Sequence, residues 1–373
     1  MDHDALPEDW AILASWLPGD LNALARECGF IRRARGLQDA ERWLRVILMH
    51  VAGGLSLQQT AVRARELGLA EVSGVAVFKR LRNSEAWLRR LTAHLLAEHQ
   101  QLLGARGNCR HVPVRVVDAT EVVEPGASGS AWRIHYSLRL PEMICDHYEL
   151  TDAGGGEKLG RFAFQPGELV IADRGYSHRA GVAHVLDSGA QVVVRWNHAL
   201  LPLLTLRGDS FDPLPQLRGL KIGAAAEWDA TFEWRGRRHR LRLCARRKGR
   251  LAAEKARRKS LRKAQKNGTR ADPRSLELSE YMLVLTSAPA DRLSCRAVLD
   301  LYRCRWQVEL SFKRLKSLLG TGHVPKSDDD SARAWMQAKI LTSFLIERTL
   351  LEARFFSPWG DPRPERQPLA NLS

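Results

Sequence analysis

Three acidic residues stand where a carboxylate can do chemistry. Asp118 follows Val114-Arg115-Val116-Val117 and precedes Ala119-Thr120; Asp173 follows Val170-Ile171-Ala172 and precedes Arg174-Gly175-Tyr176. Short β-branched runs of this kind read as buried strands. Open α/β sheets hold ligands at the carboxyl ends of their strands, so each aspartate is a candidate metal ligand, with an ordinary turn or helix-cap role as the alternative. The third acid, Glu309, lies in a segment of helical periodicity. Arg305 precedes it by four residues and Lys313 follows by four, while Tyr302 and Lys316 lie seven before and seven after. These five form one stripe along a helix. A solvated face with i,i+4 ion pairs has this pattern too, but Trp306, Val308, Leu310, Phe312 and Leu315 leave little purely solvated surface and point to close packing on a sheet.

The elements that must position these acids can be read from periodicity. Before Gly107 the chain is helical throughout, with apolar residues at helical spacing in 41–51 and 87–99. Two short helical patterns, 56–67 and 73–81, flank a glycine-containing turn, and Lys79, Arg80 and Arg82 on the second would suit entry into a DNA major groove. After Gly107 strands take over, at 112–117, 132–140, 143–150, 169–172 and 191–195. A helix at 177–188 between the last two implies a partly parallel sheet. Antiparallel alternation follows at 226–234 and 238–245, another strand at 281–286, and two helices at 295–319 and 332–353. The organisation expected is a helical N-terminal DNA-binding domain at 1–106, an α/β core at 107–196, a β-rich basic insertion at 197–290, the rest of the core at 291–355 and a disordered proline-rich tail at 356–373. No internal repeat is present.

Composition limits the partners. The chain has 373 residues, 58 Lys and Arg against 42 Asp and Glu, and a net charge of +16. That imbalance favours a polyanion, nucleic acid first. Thirteen bases against two acids fall within residues 246–274, and 252–266 lacks Pro and Gly, which suits a solvated helix or an arm lying along phosphates. Every apolar run is broken by charge well short of a membrane span, and acidic Met1–Asp20 is no signal segment, so a cytoplasmic, nucleoid-associated protein is expected. The six cysteines are scattered without a C-x2-C pair, which suggests reduced thiols and no zinc or redox motif.

Tyr302-x2-Arg305-x3-Glu309-x6-Lys316 resembles, with no departure in spacing, the Y-R-E-K signature of bacterial insertion-sequence transposases of the IS-four-like family. Asp118-Ala119-Thr120 resembles that family's first catalytic block and Ala172-Asp173-Arg174-Gly175-Tyr176 its second, while Val192-Val193-Val194-Arg195 is similar to a strand of its third conserved region. The likeness spans roughly residues 44 to 353.

The resemblance implies an α/β fold with a ribonuclease-H-like catalytic core in which Asp118, Asp173 and Glu309 form an acidic triad. Converging carboxylates need divalent cations, and oxygen-only ligands suit two Mg2+ ions, or Mn2+, about 3.5–4 Å apart for in-line displacement at phosphorus. It implies an enzyme that cleaves DNA at element ends and transfers strands into target DNA, acting on terminal inverted repeats as a homodimer in the synaptic complex. Tyr302, Arg305 and Lys316 become DNA phosphate contacts, joined by Arg174 and Arg195. Relatives hold a flipped base with an aromatic residue; Trp196, Trp228 and Trp234 are available, with core packing as each one's alternative. The competing readings are a domesticated or structure-selective nuclease on the same fold and a non-catalytic DNA-binding protein.

Overall fold

The computed structural model describes residues 6–32, 38–105, 112–124, 130–140, 142–313, 316, 320, 324–325 and 328–355. Helices α1 (Leu6–Ser15), α2 (Leu21–Glu27), α3 (Ala40–Ala52), α4 (Leu57–Glu66), α5 (Gly74–Arg82) and α6 (Glu85–Ala105) open the chain. Strands β1 (Val114–Val123), β2 (Ser130–Leu140), β3 (Ile144–Asp152) and β4 (Leu169–Ala172) follow. Next come α7 (Arg179–Asp187), β5 (Gln191–Arg195), α8 (Leu214–Arg218), β6 (Ala225–Trp234), β7 (Arg237–Arg247), α9 (Arg250–Lys266), α10 (Pro273–Leu278) and β8 (Tyr281–Thr286). The last described elements are α11 (Cys295–Leu301), α12 (Trp306–Lys313) and α13 (Asp329–Phe355).

The chain forms two compact units, one of Met1–Asn108, Val122–Ala131 and Lys313–Ser373, the other of Cys109–Glu121 and Trp132–Phe312. In the first, short polar side chains start the helices. Asp39 accepts from the Arg42 amide ahead of α3, and Ser56 and Gln59 form a reciprocal capping box at α4. Trp87 stacks on Phe30 with ring centroids 4.5 Å apart. The long helix α13, expected in the α/β core, packs against α3, α5 and α6 and groups here with the opening helices. Helix α5 uses two of its three bases internally. Arg80 donates to the Phe30 carbonyl at 2.7 Å, with its guanidinium over the Phe30 and Trp43 rings, and Arg82 ion-pairs with Asp328 and Asp330.

The second unit is built on an eight-stranded sheet of order β3-β2-β1-β4-β5-β8-β7-β6. Strands β1, β4 and β5 are parallel neighbours, and Val170, Ile171, Ala172 and Val192 to Val194 are fully buried. Such continuous apolar runs belong to parallel strands covered on both faces. The order 3-2-1-4-5 of the first five strands is that of a ribonuclease-H-like core. The strands of 197–290 extend this sheet: β8 pairs antiparallel with β5, β7 with β8, and β6 with β7. The charged residue inside the first apolar run also finds its place, because Arg115 is buried against Asp146 at 2.9 Å and Glu168 at 3.2 Å, and Arg139 pairs with the same two acids.

Two local expectations change. Strand β1 does not stop at Asp118 but runs on to Val123; what ends there is its parallel pairing with β4, whose last partners are Val117 and Ala172. The helix expected over 295–319 is interrupted, since Tyr302–Arg305 tightens into a 3-10 turn between α11 and α12. Tightening of one turn leaves the apolar spacing nearly unchanged, so periodicity does not reveal it.

Candidate active site

The register of the parallel strands sets the first two acids side by side. Asp118 and Asp173 each follow the last paired residue of neighbouring strands, which lie about 4.8 Å apart. The tightened turn supplies the groups that hold them. Ser294 caps α11 by accepting from the Ala297 amide, and α11 leads directly into Tyr302–Arg305. The Tyr302 hydroxyl, buried, donates to Asp173 Oδ1 at 3.1 Å. The Arg305 guanidinium donates to Asp118 Oδ2 at 3.0 Å and, through its other terminal nitrogen, to Glu309 Oε1. One tyrosine and one arginine therefore gather carboxylates from β1, from the end of β4 and from α12.

Burial governs the electrostatics. It pushes the Asp118 carboxyl up to about 7; the Ala119 amide and Arg305 oppose this, and the negative charges of Asp173 and Glu157 add to it. Tyr302 is held well above the usual tyrosine range by burial and by Asp173. Arg174, first residue of the turn after Asp173, has its pKa lowered by burial and by the charge of Arg195, the last residue of β5. Lys316 is exposed and falls beyond Phe312, where this unit ends. The three tryptophans divide little: Trp196 is buried and donates to the Leu201 carbonyl at 2.8 Å, and Trp228 and Trp234 pack against the same core cluster. Trp306, beside Arg305, is instead about half exposed.

The residues matched by the family model for the transposase DDE domain are 154–345. The putative transposase InsL of insertion sequence element IS186A, from Escherichia coli K12, is 34% identical over 362 residues, covering 94% of this chain and 96% of that protein. The transposase of insertion sequence element IS421, also from Escherichia coli, is 34% identical over 363 residues with the same coverage. The chain belongs to the DDE transposases. Among solved structures, a piggyBac transposase synaptic complex with hairpin DNA aligns with a TM-score of 0.47 at 10% identity, over 91% of this chain and 73% of that one.

This transposase is an enzyme that acts on DNA, and its family uses divalent metal ions. The donor set fits such ions. Asp118, Asp173 and Glu309 offer oxygen only, as hard divalent cations require, and Arg305 already spans the mostly buried Asp118 and the exposed Glu309 carboxylates. A fourth acid escaped the reading of the transposase sequence. Glu157 lies against the backbone of Gly175, so closely that a Cβ at Gly175 would collide with its carboxylate; burial raises its pKa, against the opposing charge of Arg133 and with the added negative charges of Asp173 and Glu121. Glu157 follows Gly154-Gly155-Gly156 in no recognisable strand or helix pattern; the one available signal was the glycine between Arg174 and Tyr176.

Proposed function

We propose that Asp118, Asp173 and Glu309 are the catalytic carboxylates of a cut-and-paste transposase that uses two Mg2+ ions, or Mn2+, to cleave its element's ends and join them to target DNA. The observation that carries this is the linkage of all three acids through Tyr302 and Arg305 at the end of the β1–β4 pairing. When bound, the cations supply Lewis-acid stabilisation of the charge that builds on the attacking and leaving oxygens of an in-line displacement at phosphorus. The chain's own groups do the rest. Asp118 and Asp173, fixed by strand register, and Glu309, on α12, are the residues that would hold the ions. Tyr302 orients Asp173 through its hydroxyl, and Arg305, paired with both Asp118 and Glu309, offsets their mutual repulsion.

Arg174, Arg195 and Lys316 are assigned to phosphates near the cleaved end, together with Tyr302 and Arg305. The opening helices, 1–106, bind the terminal inverted repeats, and the solvated helix α9 lies along phosphates without reading sequence. Two ends are paired by a homodimer in the synaptic complex. Among the described residues no helix is long and apolar enough to cross a membrane, and the bacterial cytoplasm, at the nucleoid, is the assigned site of action.

The test is incubation of the purified chain with duplexes carrying the flanked terminal repeats of its own element, with and without Mg2+. Breaks at the element boundary that require Mg2+ are expected. Cutting without preference for the ends would favour the nuclease reading, and end binding without any cutting the non-catalytic one.

A further inference from the structure

We infer that Glu227, Cys244 and Cys295 form a transition-metal site for which Zn2+ is the fitting ion. Glu227 and Cys244 face each other directly across the β6–β7 pairing, and Cys295 is the first residue of α11. One ligand atom from each, the two sulfurs and a carboxylate oxygen, all lie within 4.8 Å of one another. Cys244 is buried and Cys295 half-buried. In the thiol form Cys295 donates to the Ala226 carbonyl at 3.4 Å and Cys244 to Glu227 Oε2 at 3.7 Å. Metal binding converts both thiols to thiolates and releases their two protons to solvent.

The chemistry of the donors separates this cluster from the catalytic acids. Oxygen-only sites take Mg2+ or Mn2+, whereas two thiolates and a carboxylate select a softer ion and leave a fourth, open position. Charge supports the assignment. Two thiolates, one carboxylate and Zn2+ sum to −1, and the guanidinium of Arg242, paired with Glu227, brings the group to neutrality. Arg242 is itself fixed by donating to the Ala288 and Leu293 carbonyls, so it orients the ligating carboxylate from outside, as outer-shell partners of metal sites do. The site would tie the start of α11 to β6 and β7, and α11 carries the turn that holds Asp118 and Asp173. None of this was visible in sequence, because Cys244 and Cys295 are fifty-one positions apart and form no short-range motif.

The full reduced chain, stripped of metal by a chelator, is titrated with Co2+ and then with Zn2+. The expected result is a thiolate-to-cobalt charge-transfer band that saturates at one ion per chain, disappears when Zn2+ is added, and is accompanied by release of two protons. Cys295→Ser should abolish the band. Glu227→Gln, on a more exposed side chain, should keep it but weaken Co2+ affinity at least tenfold, and Asp118→Asn should leave it unchanged. No band in the reduced wild-type chain, or an unaltered band in C295S, would overturn the inference. Since the readout is spectroscopic and Asp118→Asn is silent in it, failure here is separate from failure of the catalytic reading.

Discussion

At the scale of single residues, Asp118 carries the most physics. Its carboxyl is buried and raised from 3.8 to about 7, so the folded chain binds its proton more tightly than the unfolded chain does. The stabilisation this gives is complete at low pH and is lost as pH rises from about 4 to about 7, by on the order of 4 kcal/mol at most. Asp118→Asn cannot ionise. In buffer containing a chelator, its melting temperature relative to wild type should therefore climb between pH 4 and pH 7 and then level off; a difference that stays flat or falls across that range would contradict the assigned environment. The acids themselves were legible because strand-end aspartates and an i,i+4 stripe leave marks in sequence. The partners were not. Besides the phosphate role proposed for them, Tyr302 and Arg305 hold carboxylates, a pairing that depends on how α11 meets the sheet.

At the scale of elements, β-branched runs gave away the central strands, since strands buried on both faces leave no polar alternation to confuse with helix. The tight turn at Tyr302–Arg305 and the extension of β1 past Asp118 were hidden, because both depend on partners far along the chain. Arg115 shows the same limit: within an apolar run it has no local explanation, and in the sheet it joins a buried network with Asp146, Glu168 and Arg139. Arg115→Met leaves two buried acids with one base and should cost about 3–5 kcal/mol in urea unfolding. A loss below about 1 kcal/mol would mean that the network is solvated, in the manner of surface pairs. Helix α9 behaves in the opposite way, with none of its residues buried. Lys255, Lys259, Arg262 and Lys263 have no ion pair among the described residues, so replacing all four by Gln should leave the melting temperature unchanged. The same change should flatten the dependence of log affinity on log salt by roughly 0.9 for each phosphate that the helix no longer neutralises. An unchanged slope would make α9 a solvated connector.

At the scale of the whole molecule, the excess of positive charge, the mixed sheet and the gathered acids describe a protein that works on nucleic acid by phosphoryl transfer, and membership of the DDE transposases agrees with each of them. The class of fold was legible because strands alternating with helices imply a partly parallel sheet. How the chain divides was not: the grouping of α13 with the opening helices rests on packing between residues more than 200 positions apart, which no local pattern records. The most direct measurement follows cleavage and binding of terminal-repeat DNA in parallel for Asp118→Asn, Asp173→Asn and Glu309→Gln. If the three carboxylates hold the catalytic cations, each variant loses Mg2+-dependent cutting by about a thousandfold or more while end affinity stays within about threefold of wild type, because binding rests on phosphate contacts made elsewhere. Cutting that survives in any of the three, or binding that falls in step with it, would contradict the account.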